Sequence, residues 1–570
     1  MNNTKLNKIF LLKHQNIFYN ALIFFLLILF FIPLFNSGYY GDDSINSFIK
    51  GSIGFNNTTV NKISNDIFNS WLNDAGRFNP LSFYVYFFFN YCTSLVAYKI
   101  LIFIFILLNI LAFSYWLKIN YNDVILNRFP FLLLLICLQF RIYHDPVLSF
   151  HFLIQLIFLY SMFSIICMEK FFKSQSIFYG TLSIIFNILG LLTYFELFFV
   201  ISFSTLLLSI YNLKCNRRKM NCIFILLFFT SQIILFLLNI YLRLTHGNIY
   251  NGTSVGIDIF NILRTFYYQI ISSFPLIYAI NNHNILFDSL RNTITWYNTL
   301  STIIFAFLFF ITLNNLKSKN HYNKLFVLFI VFSVFPSILV AVSEKYQNEL
   351  VLGLGYLPVY YQYFGQICLF MYLFFKLNIN NKFKQYLITL LITFIYFVNL
   401  SSNINVVNNL NNIYYYPRIT LQNFLKNFNF DQYNENINII QKIRYPYDDK
   451  GFYFMYMNKR INLHNSDTYY FSSLNSNNKL IVLDNIKDAY MLHYDASSIK
   501  GVVYWAKLNK IIIKNNIDIS YYVNNFFVYK VNIKNNYLFS HNITQEKFIY
   551  QVMSDKLINF YSYIQQYDNK

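Results

Sequence analysis

Charged side chains are scarce in this chain. Asp, Glu, Lys and Arg make up 12% of its 570 residues, whereas a soluble domain carries about 25%. Hydrophobic residues make up 56%, and the mean hydropathy is +0.40. This composition excludes an ordinary soluble domain, and repeated apolar runs of about twenty residues predict a polytopic membrane protein.

Paired cysteine motifs are also missing. The chain has six cysteines, none of them after residue 400 and none in a CxxC pair. This excludes a zinc ribbon and a disulfide framework. A Walker loop, a GxGxxG fingerprint and an HExxH helix are absent as well, so the usual sequence signals for nucleotide binding and zinc proteolysis are missing.

The net charge of +20 reports topology rather than a nucleic-acid partner, because most Lys and Arg lie in short loops between apolar runs. The alternation predicts a cytoplasmic N-terminus and an outer C-terminus. The first span is predicted to be an uncleaved anchor, because it is too long for a signal-peptide core and lacks an A-x-A-like end. A plasma-membrane location is also expected. Eleven spans are predicted, at about 16–36, 96–117, 129–141, 147–168, 177–194, 197–213, 222–243, 294–313, 325–342, 359–376 and 385–401.

The composition changes after about residue 404, toward Asn, Tyr, Lys and Asp. Short runs such as "GFYFMYM" (451–457) and "NFFVYKV" (525–531) are typical of strands, and a helix is predicted at 431–444. The predicted fold is therefore mainly α: a transmembrane helical bundle over residues 1–403, followed by a small extracytoplasmic α/β domain over 404–570.

The outer loop 37–80 is long for a connection between spans. Apolar residues at helical spacing over 45–53 and 60–71 predict two short helices lying in the membrane interface. Asn79 and Pro80 predict the start of another helix, because Asn caps helices well and Pro fits the first turn.

Asp42 and Asp43 stand side by side where the first span ends. One interpretation is a helix cap, since Asp accepts free backbone N–H groups at a helix start. The other is a general base or an acceptor-binding carboxylate. The pattern alone favours neither, although a cap needs only one carboxylate and neighbouring side chains point in different directions.

The order of these features resembles the GT-C superfamily of membrane glycosyltransferases. The similar members are the protein-mannosyltransferase-like, aminoarabinose-transferase-like and O-antigen glucosyltransferase-like proteins. The aminoarabinose-transferase-like pattern has Asp-Glu and a second proline, where this chain has Asp43 and Asn79; this leaves the donor sugar open. The residues that match the superfamily pattern are Asp42, Asp43, Gly76, Arg77, Pro80 and Leu81.

The resemblance implies transfer of a sugar from a polyprenyl-phosphate carrier to a glycan, lipid or protein acceptor on the outer face. It points to Asp42 as the catalytic base, which leaves Asp43 as the cap. Such a reaction needs a cationic site for the leaving phosphate, and arginine binds two phosphate oxygens at once. Arg77 is expected to act there with little role in packing. The predicted phosphate-binding candidates are Arg77, Arg141, Arg264 and Arg291.

Further candidates lie at outer span ends. His144 and Asp145 are candidates for a divalent-cation site or, alternatively, for an interfacial turn before Pro146. Glu196 is flanked by apolar residues, which predicts a cavity or a buried partner. The aromatic outer loop 244–292 suits an interfacial cover or an acceptor-binding surface.

Two other functions fit a polytopic chain of this composition. A glycolipid transporter or flippase usually carries its charges near the membrane midplane, often in two related halves. A polysaccharide polymerase or ligase does not require an acidic pair directly after the first span.

Overall fold

The computed structural model describes most of the chain up to residue 427 and separate segments beyond it. The described residues are 3–121, 128–195, 202, 205, 208–210, 219–246, 254–282, 295–316, 323–377, 381–427, 436–441, 450–465, 489–495, 502–514, 518–532 and 537–551.

Helices dominate the described chain up to Leu410. They are α1 (Asn3–Phe30), α2 (Ile32–Phe35), α3 (Asp42–Asn46), α4 (Ile49–Phe55), α5 (Val60–Ala75), α6 (Tyr84–Tyr91), α7 (Leu95–Tyr121), α8 (Phe129–Cys137), α9 (Leu153–Ser174), α10 (Ile177–Thr193), α11 (Lys219–Thr245), α12 (Ile259–Ile271), α13 (Ile277–Asn281), α14 (Trp296–Asn314), α15 (Asn323–Phe329), a π-helix (Ile330–Val334), α16 (Phe335–Val342), α17 (Glu344–Glu349), α18 (Val359–Lys376) and α19 (Lys382–Leu410). A second π-helix (Asn411–Tyr415) and α20 (Tyr416–Asn427) follow.

Six helices within the described residues are long and apolar enough to cross a membrane. This confirms the prediction of a mainly helical membrane protein, whereas the count of eleven spans stays a prediction. Shorter apolar helices cover Ile17–Phe30 and Ile177–Thr193. The six are Leu95–Tyr121, Leu153–Ser174, Lys219–Thr245, Trp296–Asn314, Asn323–Val342 and Lys382–Ile419.

Two predicted spans differ from the observed helices, one in where it begins and one in its continuity. The helix expected from residue 147 begins only at Leu153, because the carboxylate of Asp145 binds the backbone N–H groups of Val147 and Leu148 and holds them in a turn. The π-helix just before Pro336 interrupts the run 325–342. Proline has no backbone N–H and cannot donate the hydrogen bond of a regular α-helix.

Helices α3, α4 and α5 lie in the outer loop. Helix α5 covers the predicted helix at 60–71, whereas the single helix predicted at 45–53 is divided between α3 and α4. Their position in the membrane interface stays a prediction. The predicted helix start at Asn79 is wrong, because α6 begins at Tyr84. The Asn79 carboxamide does not cap this helix; its Oδ1 accepts the backbone N–H of Phe195 at 2.9 Å.

The chain divides into two compact units, and Leu410 ends the last segment of the first. Residues Ser44–Ile63 of the outer loop belong to the second unit together with C-terminal residues. The predicted boundary at residue 403 falls inside α19 and stays a prediction. The first unit is Met1–Asp43, Ser64–Val85 and Ser94–Leu410, and the second is Ser44–Ile63, Tyr86–Thr93 and Asn411–Lys570.

Among its described residues, the second unit contains a six-stranded sheet in the order β2-β1-β3-β4-β5-β6. Strand β1 is parallel to β2 and to β3, and the pairs from β3 to β6 are antiparallel. That these elements form a separate extracytoplasmic domain stays a prediction. The elements are β1 (Asn436–Gln441), α21 (Lys450–Met457), β2 (Arg460–Asn465), β3 (Ala489–Asp495), β4 (Val502–Lys514), β5 (Asp518–Asn532) and β6 (Tyr537–Gln551).

Two predictions for this segment are wrong. The expected helix at 431–444 contains strand β1, whose β-branched Ile437, Ile439 and Ile440 suit a sheet between two parallel neighbours. The expected strand "GFYFMYM" is helix α21. Its backbone packs against α4 so closely that a Cβ on Gly51 would lie 1.9 Å from the carbonyl oxygen of Gly451.

Candidate functional site

The acidic pair lies in the first turn of the short helix α3. Gly41 precedes it in the left-handed region, with φ of 50°, a conformation that costs glycine little. The turn separates the two carboxylates: the side chain of Asp42 is exposed, whereas Asp43 is completely buried. The two neighbours therefore occupy different environments.

Asp43 binds groups that are distant in sequence. Its Oδ1 accepts the backbone N–H of His151 at 2.7 Å, and its Oδ2 accepts the hydroxyl proton of Tyr98. The His151 Nδ1 atom lies 3.6 Å from the same Oδ1. The prediction that Asp43 caps its own helix is wrong, because both oxygens are engaged by α7 and by the turn before α9.

Lys99 is a buried cation next to this carboxylate. It has no exposed surface, and its Nζ lies 5.4 Å from the ring of Tyr40 and 5.2 Å from the ring of Tyr98. Its charge interacts favourably with Asp43 and with Asp145. A buried charge of this kind is tolerated where opposite charges accompany it, so Lys99 links the two acidic residues electrostatically.

Asp145 organises the turn that follows α8. One oxygen accepts the backbone N–H groups of Val147 and Leu148, each at 2.7 Å, and the other accepts the backbone N–H of Arg141 at 2.6 Å. Burial raises the pKa of Asp145, whereas these amides and the Arg141 charge favour the ionised form. The carboxylate thus fixes the backbone around it. This corresponds to the second alternative that the sequence offered for Asp145, a turn before Pro146.

Arg141 is completely buried. Its guanidinium donates to the carbonyl oxygen of Ser272 at 2.7 Å, to that of Gln139 at 3.2 Å and to the hydroxyl of Tyr363. These bonds connect three distant segments of the first unit. In this arrangement the Arg141 guanidinium binds oxygens of the protein itself. Its role as a phosphate ligand stays a prediction.

Asp42 is the exposed member of the pair. Desolvation by its surroundings raises the pKa of Asp42, and the nearby negative charge of Asp43 raises it further. The positive charges of Lys345 and of a protonated His151 act in the opposite direction. Asp42 therefore combines surface access with a pKa shifted toward neutrality, as a general base requires.

The short helix α17 lies near this carboxylate and was not anticipated. It carries Lys345, whose charge acts on both Asp42 and His144. It also carries Glu349, whose Oε2 lies 3.9 Å from the Nε2 of His144. Burial lowers the pKa of His144, and Glu349 partly offsets this.

Arg77 follows the end of α5 and lies between two aromatic side chains. Its Cζ is 5.3 Å from the ring of Trp71 and 5.4 Å from that of Tyr194, whose hydroxyl accepts a hydrogen bond from Nη2 at 2.9 Å. Gly76 precedes it with φ of 58°, and a Cβ there would lie 2.7 Å from the Cα of Arg243. The expectation that Arg77 contributes little packing is wrong.

Replacing Arg77 with alanine is expected to destabilise the protein by about 1–2 kcal/mol, because two cation–π contacts and a hydrogen bond are lost. Arg77→Lys should recover part of this, since lysine keeps the charge but not the planar fork. Thermal unfolding in detergent measures both. Lys62→Ala, which changes an exposed lysine on α5, the helix before Arg77, is the control, and equal unfolding temperatures for all variants would contradict the packing role.

The remaining sequence candidates divide into two groups. Arg264 is half-buried, and its Nη2 donates to the carbonyl oxygen of Gln347 at 2.9 Å, just after Lys345 in the chain. Glu196 and Arg291 lie outside the described residues. Charge interactions with Lys99 and Lys345 link Asp42, Asp43, His144 and Asp145 into one region.

Sequence reasoning missed Lys99 and Lys345. Lys99 had a signal, because it is the one charged residue in the apolar run "LVAYKILIF" at 95–103, and an ionisable residue inside a span usually has a functional or paired role. Lys345 had none, since a lysine in a polar loop is unremarkable before the fold is known.

The sequence also left a divalent-cation site open at His144 and Asp145. Within the residues that the structure describes, no group of three or more His, Cys, Asp and Glu side chains is arranged to hold a metal ion. Both oxygens of Asp145 accept hydrogen bonds from backbone amides, so this candidate metal ligand already has structural partners.

Comparison with known proteins adds no family to these observations. The GT-C resemblance accordingly depends on the residues around Asp42, Asp43, Gly76 and Arg77. No protein-family model matches the chain, and a search of curated proteins finds no similar sequence.

Proposed function

We propose that this chain is a membrane glycosyltransferase that moves a sugar from a polyprenyl-phosphate carrier to a glycan, lipid or protein acceptor. The observation that carries the proposal is the division of the acidic pair: Asp42 is exposed with a raised pKa, and Asp43 is buried beside it. Two carboxylates with divergent environments are a recurring device for acid–base chemistry.

In this mechanism Asp42 accepts the proton of the acceptor hydroxyl as that oxygen attacks the sugar. Asp43 is held between Tyr98 and the His151 backbone, where it fixes the turn and raises the pKa of its neighbour Asp42. Lys99 compensates the buried charge. Asp42, the proton acceptor, is thus held on a fixed turn, and this favours the geometry that proton transfer needs.

The leaving phosphate needs a positive charge close to the base. We assign this role first to Lys345, because its charge reaches Asp42, whereas both terminal nitrogens of Arg141 already donate to oxygens of the protein. An ammonium group placed where negative charge develops lowers the barrier of such a transfer. Arg264 is the next candidate, since it lies against α17.

The finer topology belongs to the same proposal. We assign the acidic pair and α17 to the outer face of a plasma membrane, with eleven spans, a cytoplasmic N-terminus and an extracytoplasmic α/β domain after residue 404. The distribution of Lys and Arg along the sequence supports this orientation.

Mass spectrometry of surface glycans from cells with and without the gene tests the function. Deletion should remove one sugar from a glycan, lipid or protein, and the intact gene should restore it. Purified protein in liposomes then separates the alternatives, because a transferase attaches sugar to an added acceptor whereas a flippase only changes the side on which the carrier is found. Unchanged glycans after deletion would contradict the proposal.

The pH profile of transfer provides an independent prediction. Asp42 works only when ionised, so the rate should fall as the pH drops through its raised pKa. Asp43→Asn removes the negative neighbour, lowers the pKa of Asp42 and should move this acidic limb to lower pH. Asp66→Asn, an exposed carboxylate in the same loop, is the control. An unmoved limb, or one moved upward, would contradict the assignment of Asp42 as the base.

A further inference from the structure

A groove of about 480 Å³ lies along α1, α7 and the start of α8, away from the acidic pair. Its lining is mainly apolar and includes Phe24, Leu111 and Phe131. Phe24 and Leu111 are each 47% exposed, so the groove opens sideways along helix surfaces. In a membrane protein such surfaces face lipid.

The length of the groove matches one leaflet of a bilayer. Its lining residues on α7 run from Leu107 to Lys118, which corresponds to about 16 Å along the helix axis. The hydrocarbon core of a bilayer is about 30 Å thick. The groove therefore has the length of one extended acyl chain.

One end of the groove is basic. Lys118 lies in the last turn of α7 and is exposed, and Arg128 lies directly before α8. The Arg128 Cζ is 4.6 Å from the ring of Tyr19, which orients the guanidinium. Among the described residues no acidic side chain forms an ion pair with Lys118. The groove thus combines an apolar slot with a cationic end.

We propose that this groove binds an anionic phospholipid of the surrounding bilayer. One acyl chain lies along α7, and the phosphate lies between Lys118 and Arg128, where the guanidinium fork can bind two oxygens. The cationic end distinguishes this occupant from an apolar transmembrane helix of a partner, which carries no phosphate for Lys118 and Arg128 to bind. A zwitterionic lipid would satisfy the two positive charges less well. This inference does not depend on the proposed transferase activity.

Native mass spectrometry of the full-length protein in detergent tests the headgroup preference. Phosphatidylglycerol should bind at least about fivefold more tightly than phosphatidylcholine with the same chains. Lys118→Gln and Arg128→Gln should each lower phosphatidylglycerol affinity about fivefold, the equivalent of about 1 kcal/mol per basic residue. Lys376→Gln is the matched control, because Lys376 also lies in the last turn of an apolar helix but does not line the groove.

A second pair of variants tests the slot itself. Leu111→Trp fills the groove and should lower phosphatidylglycerol binding at least about fivefold, whereas Leu108→Trp should not. Leu108 is 40% exposed on the same helix and lies outside the groove. Lys118 is at the surface, so its glutamine variant should remain monodisperse even if the Leu111 variant does not fold.

Three results would overturn the inference. The first is equal binding of the two phospholipids by the native protein. The second is a loss in the Lys376 control as large as that in Lys118→Gln. The third is displacement of phosphatidylglycerol by an equal concentration of a polyprenyl phosphate, which would assign the groove to the carrier lipid instead.

Discussion

Asp42→Asn is expected to abolish sugar transfer in membranes, with a loss of at least about 100-fold in rate. A positioned general base typically contributes 10²–10⁴-fold, and asparagine cannot accept a proton at neutral pH. The side chain is exposed, and asparagine has the same shape, so the protein should accumulate normally. Transfer from an extracted lipid-linked donor to acceptor, measured per amount of folded protein, gives the result.

Two controls make this experiment selective. Asp66→Asn changes an exposed carboxylate of the same outer loop and should leave the rate unchanged. Asp42→Glu restores a carboxylate one methylene out of place and should recover part of the activity. If Asp42→Asn transferred sugar at the native rate, the pair would be structural, and the glycosyltransferase proposal would lose its main support.

Asp145→Ala is expected to destabilise the protein by about 3–5 kcal/mol. The substitution leaves three backbone N–H groups without their acceptor in a buried turn, and it removes an acidic partner of two buried cations, Arg141 and Lys99. Uncompensated buried charges and donors carry costs of this size. Thermal and denaturant unfolding in detergent, followed by size-exclusion chromatography, would measure the loss.

Asp258→Ala is the matched control for this result. Asp258 also accepts a backbone N–H, that of Phe260 at 2.9 Å, but it does so in an exposed N-terminal cap of α12. Its loss should cost about 1 kcal/mol. Equal unfolding temperatures for the two variants would show that burial of the Asp145 network adds nothing to stability.

The division of the acidic pair was only partly predictable. Adjacent side chains in a helix point in different directions, so the sequence could indicate that Asp42 and Asp43 differ. It could not identify the partners of Asp43, because Tyr98 and His151 are 55 and 108 positions away. Contacts at such separations depend on which helices pack together, and hydropathy carries no information about this.

The same reasoning explains the errors in local structure. Asn79 has the chemistry of a cap, yet its carboxamide binds Phe195, more than a hundred positions away. The aromatic run at 451–457 has the composition of a strand, yet close approach to α4 at Gly51 accompanies a helix there. Composition predicted the membrane class well because burial in lipid acts on every residue of a span.

The contact between α4 and α21 limits how the protein can be dissected. Phe48 packs on Phe452 and Phe55 packs on Phe454, with ring centroids 5.9 and 6.0 Å apart, around the point where Gly51 meets the Gly451 backbone. A fragment that starts at residue 404 would lose these partners and expose aromatic surface. Chimeras between related chains should therefore exchange residues 44–55 and 450–457 together, because any larger side chain at Gly51 in one parent would clash with the helix of the other.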